Sequence, residues 1–271
     1  MMLFRNKLSI WEENPTAPLT LLFLHGHCTN KNFFYQQMNA AEFKPYHRFA
    51  IDLPGYGLSP PPTNPLETYN FPGFAKAIIT TLQQTAIEKL IIIGWSLGGH
   101  VALEMIDQLP QLIGLFITGT PPIEISVHGL QSAFKALDPE IMACFGKPHL
   151  TLEEAKLLAK VSGFDGSREK EFLVDAILTT DENARVLYPQ SILNGIGRNQ
   201  CTLVAASDKP IAIVGGEKDI AINYDYVQQE IVVKNLWRNK VHFINNAGHA
   251  VMLDEPNKFN QLLLEFIHDV S

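Results

Sequence analysis

Leu90–Ile106 reads LIIIGWSLGGHVALEMI, and its two halves call for different backbones. Leu90, Ile91, Ile92 and Ile93 are a short apolar run rich in β-branched residues, the pattern of a strand buried on both faces. Gly94-Trp95-Ser96-Leu97-Gly98 follows as G-x-S-x-G, a sharp strand-to-helix turn that holds its serine in a strained conformation. The residues two positions either side must be small, because strand and helix pack closely there. Gly94 and Gly98 meet that need, and Gly99 adds room. From Leu97 the chain reads as a helix, with no proline before Pro110. Ser96 is thereby predicted at a helix N-terminus, where backbone N–H groups favour a developing negative charge. It is the candidate nucleophile.

Other apolar runs lie on both sides. Leu19–Leu24, Arg48–Ile51, Leu112–Thr118, Pro210–Val214 and Val241–Ile244 read as strands, with a weaker edge strand over Lys7–Glu13. Helical spacing marks residues 32–41, Phe74–Thr85 and Asn257–Val270, the last with Phe259, Leu262, Leu263, Phe266 and Ile267 on one side. Strands alternating with helices predict an α/β fold, a mostly parallel central sheet with helices on both faces. Residues 123–199 break the pattern. They show helical periodicity and no convincing strand, with a capping-box start at Thr151–Glu154, a helix over Glu171–Thr179 and another over Asn183–Leu193 interrupted at Pro189. The expected organisation is therefore a core of residues 1–122 and 200–271 with a helical lid over 123–199, inserted after the sixth core strand.

In such sheets ligands bind beyond the carboxyl ends of the strands. A serine hydroxyl there needs a base, usually a histidine oriented by a carboxylate. Of nine histidines, His249 in Asn246-Ala247-Gly248-His249 lies after a strand and before the last helix. His100, on the elbow helix, is read as packing there. The acid must precede His249 and follow a strand. Asp219 in Gly215-Gly216-Glu217-Lys218-Asp219 does both, with Glu217 as the rival. Asp52 precedes the serine and is read as holding the Asp52–Ser59 turn, DLPGYGLS. Oxyanion donors are expected at the N–H of Leu97 and in the His25-Gly26-His27 loop, at the N–H of His27. Cys28 has no base of its own and reads as a packed small residue.

Composition bounds the rest. The chain has 271 residues, 46% apolar and 18% charged, which suits a globular protein rather than a disordered one. Its 21 basic and 28 acidic residues give a net charge of −7 without a Lys/Arg block, so no nucleic acid partner is expected. The three cysteines, Cys28, Cys144 and Cys201, form neither a disulfide framework nor a metal pattern; no metal or cofactor is expected, and a reducing cytoplasm is. The N-terminus carries no secretory signal pattern, and no segment reads as a membrane span.

Together HG at 25–26, DLPGYGLS at 52–59, GWSLGG at 94–99, GGEKD at 215–219 and NAGHA at 246–250 resemble the α/β-hydrolase superfamily. That resemblance implies Ser96, Asp219 and His249 as nucleophile, acid and base. GWSLGGHVALEMI, GLFITGTPP at 114–122, GRNQ at 197–200, NLW at 235–237 and NNAGHA are similar to the α/β-hydrolase type of N-acyl-homoserine lactone hydrolase, the quorum-quenching lactonases that open the ring of bacterial signals. The similarity is poor across 123–196, the part expected to set acyl-chain preference. One such lactonase carries asparagine at the position of His27 and glutamate at that of Asp219.

The expected activity is cleavage of a carboxylic ester or lactone with an apolar acyl part, by a monomer or homodimer. The alternatives are a general carboxylesterase of small acyl esters and a non-enzymatic small-molecule receptor on a hydrolase scaffold. A serine at position 96 argues against dehalogenases and epoxide hydrolases, which use an aspartate there. C–C bond hydrolysis and hydroxynitrile lysis use the same three residues.

Overall fold

A computed structural model describes residues 8–271. Seven strands form one sheet: β1 (Ile10–Glu13), β2 (Leu19–Leu24), β3 (His47–Ile51), β4 (Lys89–Trp95), β5 (Leu112–Thr118), β6 (Ile211–Gly216) and β7 (His242–Ile244). Their order is β1-β3-β2-β4-β5-β6-β7, and every pairing is parallel except β1 with β3. The edge strand expected from Lys7 begins at Ile10; Lys7 lies outside the described residues.

The continuous apolar runs reflect burial on both faces. All six side chains of β2 are buried, and alternate ones enter different cores. Leu22, Leu24, Ile92 and Leu115 join one apolar cluster, while Leu21, Phe23, Ile91, Ile93 and Phe116 join the other. The final helix, Pro256–Val270, lays Phe259, Leu263, Phe266 and Ile267 on the second.

Two expectations need correction. The helical segment follows the fifth of the seven strands, not the sixth, because among the described residues only β1 to β4 precede β5. The helix Glu182–Leu193 is not interrupted at Pro189 but runs through it. A proline inside a helix costs about 3 kcal/mol, and the surroundings of Arg185 oppose that cost. Its buried guanidinium donates to the carbonyls of Pro148, Ile177 and Thr180, tying three segments together. Arg185→Met is expected to lower stability by about 3 kcal/mol, since two buried carbonyls and a part-buried one lose their donor; the midpoint of urea unfolding measures it.

Between β5 and β6 the main helices are Val127–Ala133, Leu152–Ala159, Glu171–Thr179 and Glu182–Leu193. The capping box at Thr151 and Glu154 forms with both reciprocal bonds. This segment is held to the strand ends at two places. Asp181 donates its N–H to Gly55 O at 2.9 Å and its carboxylate accepts from Tyr69. Further on, Phe134 bridges Ile222, and Lys135 donates its N–H to Ala221 O at 2.8 Å.

Candidate active site

The turn after β4 has the geometry its glycines require. Ser96 sits at φ 51°, ψ −119°, a conformation that costs a non-glycine residue on the order of 1–3 kcal/mol. It persists because its neighbours over-determine it. Ser96 N–H donates to Thr118 O at 3.0 Å, and the Thr120 hydroxyl donates to Ser96 O at 3.0 Å. A Cβ on Gly98 would lie 2.1 Å from Leu24 O, and one on Gly94 would lie 2.6 Å from the Gly99 Cα. Gly98→Ala therefore sets a methyl group against the backbone of a central strand. It is expected to lower stability by about 3 kcal/mol or more, read as a drop in the urea midpoint.

The loop after β2 approaches this turn just as closely. A Cβ on Gly26 would meet the Trp95 ring at 2.8 Å and the Ser96 Cβ at 3.3 Å. His25 locks the loop. Its Nε2 accepts the N–H of Leu53 at 3.0 Å, which leaves Nδ1 as the protonated nitrogen, 2.8 Å from Gly26 O. Burial pushes its pKa down to about 4, consistent with that neutral form. The N–H groups of Leu97 and His27 donate to no protein acceptor among the described residues. The His27 ring contacts the Tyr56 hydroxyl at 2.8 Å and packs on Tyr188. Burial first, then Arg185 and His25, depress its pKa to about 3. Cys28 is buried beside it, and burial raises its thiol to about 12, so it is not a thiolate.

Asp52 does hold its turn. Its buried carboxylate accepts the N–H of Leu58 at 2.9 Å and of Lys31 at 2.7 Å, and pairs with Lys31 Nζ at 2.6 Å.

His249 and Asp219 come together from the loops after β7 and β6. His249 Nδ1 lies 3.0 Å from Asp219 Oδ2, both residues buried. Asp219 Oδ1 accepts the N–H groups of Ala221 at 2.8 Å and Ile222 at 3.3 Å. Burial alone would raise this carboxyl. The His249 imidazole and the two backbone N–H groups outweigh burial and hold it below the usual carboxylate range. An ionised carboxylate only accepts, so Nδ1 is the donor and Nε2 carries the lone pair. Glu217, the rival acid, is exposed.

The imidazole rests on Gly119, just past β5. A Cβ there would lie 2.8 Å from His249 Cε1 and 3.2 Å from Trp95 Cδ1, and φ is +58°. Trp95 Nε1 in turn donates to His249 O at 2.9 Å. Ser96 and His249 are thus neighbours through Trp95 and Gly119, although no hydrogen bond joins the hydroxyl to the imidazole among the described residues. Such bonds are often long before substrate binds.

A family model described as alpha/beta hydrolase fold matches residues 20–256. The chain belongs to the α/β hydrolase family. Among solved structures, this α/β hydrolase is similar to a mutant N-acyl homoserine lactonase AidH complexed with N-hexanoyl homoserine lactone. The TM-score is 0.90 and the identity 30%, covering 100% of this chain and 97% of that one. It is 25% identical to the AB hydrolase superfamily protein YisY of Bacillus subtilis (strain 168), over 91% of this chain and 90% of that protein. It is 23% identical to a pimeloyl-acyl-carrier-protein methyl ester esterase of Vibrio vulnificus (strain YJ016), over 94% and 96% respectively. This α/β hydrolase is a hydrolytic enzyme, and none of its described helices is long and apolar enough to cross a membrane.

Four residues that hold the site were not singled out from the sequence: Gly119, Trp95, Thr120 and Lys135. Gly119 stands directly after a strand, which was a legible signal. Lys135 Nζ donates to Asp219 O at 2.8 Å from a segment 84 residues away, and nothing in the sequence marks that pairing.

Proposed function

We propose that this enzyme cleaves carboxylic esters and lactones through an acyl-enzyme on Ser96, with N-acyl homoserine lactones as the substrate class. The observation that carries the reaction is the Asp219–His249 pair set beside the strained Ser96 turn. The full-length similarity to the lactonase, seen with a bound acyl homoserine lactone, supports the substrate class.

The Ser96 hydroxyl attacks the carbonyl carbon while His249 Nε2 takes its proton, and Asp219 stabilises the resulting imidazolium. The N–H groups of Leu97 and His27 donate to the oxyanion; each is worth about 3 kcal/mol of transition-state stabilisation. His249 then gives the proton to the leaving oxygen, and later takes one from the water that releases the acyl group. In a lactone the leaving alcohol stays tethered and competes with water by reclosing the ring. Residues 123–199 act as a cap over the core of 1–122 and 200–271, excluding bulk water and shaping the acyl site.

The test is a panel of acyl homoserine lactones beside p-nitrophenyl esters, with fluorophosphonate labelling of Ser96. Many turnovers per labelled site and ring opening support the proposal. Aryl ester turnover without ring opening would remove the lactone part, and a single turnover would fit a receptor instead.

A further inference from the structure

The proposed mechanism makes no use of His100, which is 3% exposed on the elbow helix Leu97–Glu104. Its N–H bonds Ser96 O at 3.2 Å, so it stands one helical turn beyond the nucleophile. Side chains one turn apart share a face, and the Cα–Cβ bond leans back towards the N-terminus, here towards Ser96.

The tautomer of His100 is fixed. Nδ1 lies 2.8 Å from Gln200 Oε1. The same Oε1 accepts the N–H of Ile123 at 3.4 Å, and Gln200 Nε2 donates to His100 O at 3.4 Å. Reversing the amide would set donor against donor and oxygen against oxygen, so Oε1 faces Nδ1 and Nδ1 carries the proton. Nε2 is left as a bare acceptor with no partner among the described residues. The side-chain polar atoms both sealed from solvent and unpartnered there are Gln37 Oε1, Arg48 Nε, Thr118 Oγ1 and His242 Nε2. His100 Nε2 is not one of them.

Aromatic rings pack around this imidazole. Phe71 lies 5.1 Å and Phe134 6.2 Å from the His100 ring. Tyr188 links Phe71, at 5.7 Å, to the His27 ring at 4.8 Å, so an aromatic row runs from the proposed oxyanion loop to His100. Phe134 is bridged to Ile222 of the Asp219 loop. Burial, with His249 adding to it, pushes the His100 pKa down to about 4, so the acceptor persists at neutral pH.

An acceptor in an apolar wall is costly unless a ligand supplies a donor. Around its carbonyl an ester or lactone offers only acceptors. A secondary amide on the adjacent carbon offers an N–H. Its nitrogen lies about 2.5 Å from the scissile carbon, and a hydrogen bond adds about 2.9 Å, so the amide reaches only an acceptor close to the nucleophile.

We propose that His100 is a specificity residue whose Nε2 accepts the amide N–H of an N-acylated amino lactone or ester, so that the enzyme selects substrates carrying an amide next to the scissile carbonyl. This rests on the acyl-enzyme reading above. The experiment compares kcat/KM for N-hexanoyl homoserine lactone and for its analogue with CH₂ in place of the N–H. Wild type is expected to prefer the amide by about tenfold or more. His100→Leu is expected to bring the ratio to about one, and His100→Gln, which retains an acceptor, to restore part of it. A ratio cancels any general loss of activity in a variant, and the wild-type comparison needs no variant to fold. Equal rates on both lactones in wild type, or an unchanged ratio in His100→Leu, would overturn the inference and leave the lactonase reading intact. Failure to open either lactone, with aryl esters turned over and Ser96 labelled, would overturn both.

Discussion

Ser96→Ala is expected to lower kcat on any ester or lactone the enzyme accepts by about 10⁶-fold. The alanine keeps the turn and the N–H groups of Leu97 and His27, which have no acceptor among the described residues, so a carbonyl still meets two donors. What disappears is the covalent route, because His249 then has no hydroxyl to deprotonate. Residual turnover, on the order of 10³-fold over water, is what the oxyanion site and binding alone sustain. Steady-state kinetics on a p-nitrophenyl ester, with fluorophosphonate labelling as the second readout, measures it. Substantial turnover with no labelling would remove Ser96 from the mechanism. The substitution also relieves a polar side chain from a strained backbone without changing φ and ψ, so stability is expected to shift little.

Asp219→Asn is expected to cost about 10⁴-fold in kcat. The carboxylate is ionised, accepts from Ala221 and Ile222, and so obliges His249 Nδ1 to donate. An asparagine keeps Oδ1 on those two N–H groups and turns its NH₂ towards Nδ1. The imidazole must then accept at Nδ1 and hold its proton at Nε2, where the Ser96 proton should go. The same substitution carries a stability signature. The folded pKa of Asp219 lies below its unfolded value of about 3.9. Its ionisation therefore stabilises the fold above that value, and the contribution is lost as pH falls through the folded pKa. The stability difference between wild type and Asp219→Asn should be constant above about pH 5 and shrink as the solution is acidified. Urea unfolding at several pH values tests this; a difference independent of pH down to 2 would mean the carboxyl is already neutral in the folded protein.

The parts of this molecule legible before any coordinates were those governed by short-range rules. A run such as Leu19–Leu24 can only be buried on both faces, and β2 is. Gly94 and Gly98 imply a close approach of strand and helix, and a Cβ at either would strike backbone. The order of Ser96, Asp219 and His249, each after an apolar run, was readable for the same reason. Expectations failed where a distant partner intervened. Pro189 is a helix breaker by its own chemistry, yet the helix continues, in surroundings where Arg185 binds carbonyls from residues 148, 177 and 180.

Hydrophobic periodicity and glycine placement alone were enough to specify a parallel sheet, the strained Ser96 turn and the two loops that face it, because backbone sterics and burial act within a few residues. Which carboxylate meets His249, which tautomer His100 adopts and how the 123–199 segment grips the Asp219 loop were settled only by folding. Each depends on a hydrogen bond between residues 30 to 100 positions apart, and the direction of such a bond is written in neither partner until the other is in place.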